Sequence, residues 1–292
     1  MLPTRFCIGN SDLVALTKPD GSPRPIALLD ALRNISGIML LERHRKELAK
    51  TFFGKQYAVG IRGGCELCIH GLRTLLSNNH DCAALLVDFR NMFNEISREG
   101  ALEAVQKHCP EAYPFVYTFY SRSADVSFFT DFAWDNEFLK CEQGVFQGDT
   151  WGSVIACCLL LEFQNELEAH LSFLGLKDSI QFAIADDLTV FGPPEVVKAA
   201  WKFIATKAPE SGPAPEPYSL KLKIPKCKIF SFALLGTMRN WFPLRDIPKS
   251  VERVSGQSKC GIKFLGAPIG HEDFCKKFCL DLVENDYKTI DR

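Results

Sequence analysis

The sequence predicts an α+β fold built on a mostly antiparallel sheet. Three observations predict it. Strand-like and helix-like segments are mixed along the chain without the regular alternation of a parallel α/β sheet. Two stretches, residues 10–30 and 180–192, read as strand, tight turn, strand, the arrangement that joins antiparallel neighbours. Hydrophobic residues make up 47% of the 292 residues and charged residues 24%. These are ordinary globular proportions and support a large buried core.

Each element follows from its local pattern. In residues 10–30 the turn is KPDGSPRP, whose Pro-Asp-Gly centre is strong turn chemistry. Residues 30–51 read as an amphipathic helix on Leu32, Ile35, Ile38, Met39 and Leu41. Gly63-Gly64 breaks the chain before a second helix, about Glu66 to Leu76. AALLVDF is a continuous apolar run ending in Asp88, a buried strand with its carboxylate at the strand end. Residues 97–122 read as largely helical and 125–140 as a polar and aromatic hairpin. The Gly-rich GVFQGDTWGS opens an apolar helix, Val154 to Leu171, buried on most sides. In IQFAIADDLTVFG two aspartates interrupt two apolar runs and belong at a hairpin turn. A helix over 195–207 follows, then the Pro-rich loop APESGPAPEP. KLKIPKCKIF and GIKFLGAPIG are short strand-like runs.

Three carboxylates stand out. Asp88 ends one apolar strand, and Asp186 and Asp187 tip an apolar hairpin. If those strands are neighbours the carboxylates converge, repel and raise one another's pKa values. Divalent cations remove that repulsion. Two hard ions held by aspartates about 3.5–4 Å apart are the recurring device for in-line phosphoryl displacement. Alone, an Asp-Asp pair reads as a solvated turn and a strand-end Asp as a cap.

Order and spacing add more. From about Leu13 to Gly270 the chain resembles the reverse transcriptase family, especially the type found in non-LTR retrotransposons. KPDGSPRPIALL resembles the family's fingers motif, which implies that Lys18 and Arg24 meet the incoming triphosphate. LLVDFRNMFNEI resembles motif A, with Asp88 as metal ligand and Phe93 at the sugar gate. QGVFQGDTWGS resembles motif B, with Gln147 and Gly148 beside the nucleotide and template base; Gly144, Gly148 and Gly152 permit close backbone approach to a ligand. FAIADDL resembles motif C, the A-D-D box, with Asp186 and Asp187. LKLKIPKCKIF resembles motif D, with Lys226 as general acid to the leaving pyrophosphate. KFLGAPIG resembles motif E, the primer grip, with Leu265 and Gly266. The chain departs from the family pattern at Ile184, usually aromatic, at Lys223, usually Asn, and at Thr150, often Pro.

The resemblance implies a right-hand polymerase: a palm of antiparallel sheet backed by helices with a ferredoxin-like core, and partial fingers. Residues 1–80 would be the partial fingers, 81–270 the palm with an inserted fingers segment near 100–140, and 271–292 the start of a truncated thumb. The implied activity is RNA-directed DNA polymerisation with two Mg²⁺ or Mn²⁺ held by Asp88, Asp186 and Asp187. The implied partners are an RNA or DNA template with its primer, and dNTPs. The competing reading is a truncated or decayed copy that binds RNA as a scaffold; retention of all three aspartates opposes it. A viral-type RNA-copying RNA polymerase would carry a polar residue in place of Phe93.

The formal net charge is -1, so phosphate affinity needs a local basic groove. The 12 cysteines are scattered. Cys65, Cys68 and His70 lack a second pair at zinc-finger spacing, and most thiols are expected to be reduced core residues. With no signal peptide in the N-terminal residues and no apolar run long enough to span a bilayer, the expected location is intracellular, nucleus or cytoplasm.

Overall fold

The structure, a computed structural model, describes residues 11–18, 21, 23–128, 138–232, 252–253 and 260–290. Pro19, Asp20 and Ser22 of the expected first turn, and the tip of the expected hairpin at 129–137, lie outside the described residues. The chain divides into two compact units. The first comprises 1–61, 89–166 and 206–222, the second 62–88, 167–205 and 223–292. No helix among the described residues is long and apolar enough to cross a membrane.

In the first unit, β1 (Ser11–Thr17) and β2 (Pro23–Leu29) pair antiparallel, with Leu16 opposite Arg24. β1 also pairs in parallel with β4 (Ala124–Phe128), which pairs antiparallel with β5 (Phe138–Cys141). The sheet order is β2-β1-β4-β5. Helix α1 (Ala31–Phe52) begins at Asp30, whose carboxylate accepts from Leu32 N at 2.8 Å and so satisfies an orphan amide. The segment 97–122 is helical as expected: α4 (Arg98–His108) and α5 (Tyr113–Tyr120) follow the single turn α3 (Met92–Glu95).

The second unit holds two sheets. One has the order β6-β7-β3-β8, made of β6 (Ile180–Ile184), β7 (Asp187–Gly192), β3 (Ala83–Val87) and β8 (Lys228–Phe230), all antiparallel. Helix α2 (Gly64–Asn78) packs on β3 and β6, burying Cys68, Leu72 and Leu76. Helix α7 (Pro194–Lys207) buries Val196, Val197, Ala200 and Ile204. The other sheet is β11-β10-β9, from β9 (Glu252–Arg253), β10 (Cys260–Phe264) and β11 (Ala267–Gly270). Helix α8 (Glu272–Ile290) packs on β10 and β11. Helix α6 (Gly152–Phe173), whose residues 152–166 belong to the first unit, is buried along most of its length, as its apolar composition predicts.

Two expectations are corrected. Where a mostly antiparallel sheet was expected, the described residues form three sheets, and β1 with β4 is a parallel pair. The amphipathic face of α1 is reversed: Leu32, Ile35, Ile38 and Met39 are each more than half exposed, while Arg33, Gly37, His44, Leu48 and Phe52 are buried. The polar members of the buried stripe can be buried because each finds partners. Arg33 pairs with Asp149, His44 with Glu47 and Glu111, and Gly37 lets the Trp151 ring to within 3.3 Å of where a Cβ would stand. Hydropathy alone cannot rank such a stripe above an apolar one. KLKIPKCKIF is only partly extended, since a 3₁₀ turn at Ile224–Lys226 precedes β8.

Candidate active site

The strand register brings the second unit's carboxylates together. β3 and β7 pair with Val87 opposite Leu188, so one further step sets Asp88 across from Asp187. β6 and β7 close on Ile184 opposite Asp187, leaving Ala185-Asp186 as a two-residue turn. Ala185 has φ +52°, a left-handed backbone that a side chain disfavours by roughly 1–2 kcal/mol. Asp88 is anchored through its backbone: its N–H meets Cys227 Sγ at 3.4 Å, and its carbonyl accepts from Lys223 N at 2.9 Å. Lys223 therefore replaces the expected Asn with a contact any residue but proline could make, and its charge also favours the ionised Asp88.

The electrostatics are those of crowded anions. Burial raises the Asp88 pKa, Lys226 and Lys223 oppose the rise, and Asp186 adds to it. Asp187 is solvent-accessible as a residue. Even so, the surrounding protein, then the charges of Asp186 and Asp88, push its carboxyl up to about 6, with Lys226 opposing. Hard oxygen donors with unrelieved mutual repulsion fit a divalent cation, whose charge would lower all three pKa values. The three carboxylates are not a set whose ligand atoms all lie within 4.8 Å of one another. Among the described residues the set whose ligand atoms all lie within 4.8 Å of one another is His44, Glu47 and Glu111.

Asp88, Asp187 and Lys226 line an open cleft of about 660 Å³ with Leu265 and Gly266. The latter two form the turn between β10 and β11, at φ +46° and +85°. Leu265 is thus a second side-chain-bearing residue in strained left-handed backbone beside the same cleft. Lys228 and Lys263 also line it, and sequence reasoning missed both. Their signal was period two, since each alternates with buried neighbours in a strand, Ile229 or Ile262 and Phe264.

The remaining expected residues belong to the first unit. Lys18 Nζ donates to Asn91 Oδ1 at 3.4 Å, and Arg24 is exposed on β2. Phe93 is half-buried on α3 rather than part of the core. Its carbonyl accepts from Val145 N at 2.6 Å, which fastens the Gly-rich loop to α3. Gln147 O accepts from Ala27 N at 2.7 Å. The glycines' close approaches are to protein backbone: a Cβ would stand 2.4 Å from Ala27 O at Gly148, 2.5 Å from Phe93 O at Gly144 and 2.5 Å from Phe146 O at Gly152. Each of the three glycines therefore has a packing reason to lack a side chain, since protein backbone stands where its Cβ would be.

That loop is held by a buried network invisible in the local sequence. Arg33 Nη2 donates to Asp149 Oδ2 at 2.5 Å, Tyr120 Oη donates to the same oxygen at 2.6 Å, and Trp151 N donates to Asp149 Oδ1 at 2.9 Å. The guanidinium carbon lies 4.4 Å from the Phe119 ring centre, 5.4 Å from Tyr120 and 5.6 Å from Phe146. Arg33 Nε and Nη1 have no hydrogen-bond partner and face these rings instead. Burial and the Asp149 charge hold the Tyr120 hydroxyl far above its ordinary pKa, so it stays a donor.

Among the expected thiols, Cys68, Cys82, Cys109, Cys157, Cys158 and Cys227 are buried. No metal-ligand cluster among the described residues includes Cys65, Cys68 or His70.

With this geometry the chain can be compared with known proteins. No family model matches it. It is similar in sequence to a retrotransposon protein. The relative is the 132 kDa protein of the retrotransposable element SLACS from Trypanosoma brucei gambiense, 28% identical over 195 residues. That match covers 64% of this chain and 15% of the relative, so the chain corresponds to a small part of the relative's length. Solved structures of telomerase share the fold. Telomerase from Candida albicans, in complex with a fragment of telomeric RNA, superposes with a TM-score of 0.59 at 13% identity, covering 91% of this chain and 44% of that one. Apo telomerase from Candida tropicalis, truncated from its C-terminal domain, gives 0.53 at 13%, covering 77% and 50%.

Proposed function

We propose that this chain is the catalytic core of a reverse transcriptase of retrotransposon origin, an RNA-directed DNA polymerase. The observation that carries the reading is the convergence of Asp88, Asp187 and Lys226 on one cleft, with Asp186 electrostatically coupled to both aspartates. The motif order, the retrotransposon relative and the telomerase-like fold support the same reading.

Asp88, Asp186 and Asp187 would hold two Mg²⁺ or Mn²⁺ ions, which supply activation of a primer hydroxyl and charge stabilisation at the phosphoryl group. The rest falls to the chain's own side chains. Lys226, on the cleft wall beside two of the aspartates, would give a proton to the departing pyrophosphate. Lys228 and Lys263 would face backbone phosphates, and the Leu265-Gly266 turn would support the primer strand. Lys18 and Arg24 would take the triphosphate, Gln147 and Gly148 would meet the nucleotide, and the Phe93 ring would exclude a 2′-hydroxyl. RNA or DNA template with primer, and dNTPs, are the partners of this reading.

Primer extension on an RNA template with dNTPs and Mg²⁺ or Mn²⁺ tests it. Extension that is lost in Lys226→Ala by about 10²–10⁴-fold, the range of general acid catalysis, is the expected result. No extension under any of these conditions contradicts an active enzyme and leaves the scaffold reading.

A further inference from the structure

We infer that the first unit carries a structural transition-metal site, built by His44, Glu47 and Glu111 and suited to Zn²⁺. It is separate in sequence and in chemistry from the aspartate cleft.

His44 lies on the buried face of α1, its side chain 5% exposed. Glu47 follows one helical turn later on the same helix, and Glu111 comes from the connection between α4 and α5. Both carboxylates converge on one atom. Glu47 Oε2 stands 3.1 Å and Glu111 Oε2 3.3 Å from His44 Nδ1, and the three ligand atoms all lie within 4.8 Å of one another. An ordinary hydrogen bond explains half of this. The Nδ1–H of an imidazole points along a single in-plane direction and serves one acceptor, which here is Glu47. The second carboxylate then brings a like charge to its neighbour with no proton of its own to accept. Both glutamates are about two-thirds exposed, so each could turn its charge to water.

The separations match those around a metal. Tetrahedral Zn²⁺ with bonds of about 2.0–2.1 Å sets its donors roughly 3.3–3.4 Å apart, close to both nitrogen–oxygen distances. One imidazole nitrogen with two carboxylate oxygens is a borderline donor set, favouring Zn²⁺ over the all-oxygen sites of Mg²⁺. Three protein donors leave a fourth position. Water would fill it, as at zinc sites with three protein ligands. An ion there would tie the α4–α5 connection to α1, the helix that also supplies Arg33 to the Asp149 network.

The test is calorimetric titration of Zn²⁺ into the full chain, comparing wild type with the Glu47→Gln/Glu111→Gln double variant, both in an Asp186→Asn background that weakens the aspartate cleft equally. Exposed glutamates exchanged for their amides should leave circular dichroism unchanged. The expected result is one additional Zn²⁺ site in the parent, weakened at least about tenfold in the double variant, the scale on which even outer-shell partners act. Zn²⁺ should also raise the melting temperature of the parent and not of the double variant. Identical isotherms and melting shifts for the two proteins would overturn the site and leave His44 as an ion-paired core histidine. Because the aspartate cleft is the same in both proteins and the readouts are binding and melting, neither outcome depends on polymerase activity.

Discussion

On the proposed reading, a single ring at Phe93 would separate two chemistries. It is half-buried on α3, and the Gly-rich loop is bonded to its own carbonyl, so the backbone that presents it is fixed. A ring packed beneath a ribose leaves no room for a 2′-hydroxyl. Overpacking a tight site costs about 1–3 kcal/mol, roughly 5- to 150-fold at 1.4 kcal/mol per decade. Phe93→Ala should lower the dNTP-to-rNTP ratio of kcat/KM by that factor while most dNTP incorporation survives. An unchanged ratio would reduce Phe93 to packing. Asp187 offers a second residue-scale measurement. Its carboxyl sits near 6 against an ordinary 3.8. An acid raised in the folded state stabilises the fold while protonated, and that contribution is lost as pH rises from about 4 through 6. Above that range the charged cluster carries its full repulsion, which a divalent cation offsets. Millimolar Mg²⁺ should therefore raise the melting temperature at about pH 7.5 and hardly at all at about pH 5. An equal rise at both would show that Mg²⁺ acts elsewhere.

At the scale of elements, the aspartate cleft is two hairpin tips and a strand end, all in the second unit, and the first unit separately holds a buttressed Gly-rich loop. The hairpin that carries Asp186 and Asp187 was legible because two charged residues cannot sit inside two apolar runs, and Asp88 because its run ends on a charge. The Arg33–Asp149 pair was not legible, since its members are 116 residues apart and nothing local marks a mid-helix arginine for burial. The same blindness reversed α1: Leu32, Ile35, Ile38 and Met39 are exposed, and its docking face carries Arg33 and His44 beside Leu48 and Phe52. Glycines in the motif B loop were legible as required, but not their reason, which is the carbonyls of Ala27, Phe93 and Phe146 behind them. Removing one partner of a buried pair strands the other charge, at a cost of about 3–5 kcal/mol. Asp149→Ala should destabilise the protein by that amount in urea unfolding, because Arg33 Nε and Nη1 already have no hydrogen-bond partner. A loss below about 1 kcal/mol would mean the pair behaves as a surface contact.

For the whole molecule, a net charge of -1 means that the proposed binding to nucleic acid would rest on local lysines rather than on a general field. Lys226, Lys228 and Lys263 gather on one cleft. Neutralising two phosphate contacts with Lys228→Ala/Lys263→Ala should reduce the slope of log affinity against log salt by about two units for a labelled primer-template. An unchanged slope would move the binding surface elsewhere. The central claim, however, is chemical. It is tested most directly by primer extension on an RNA template with Mg²⁺, comparing wild type with Asp186→Asn at matched folding by circular dichroism. Asp186→Asn removes one negative charge from the cluster without changing the size of the side chain. The account predicts extension by the wild type and its loss by several kcal/mol in the variant, the scale on which a metal ion stabilises transition-state charge. Equal extension by the two proteins would contradict it.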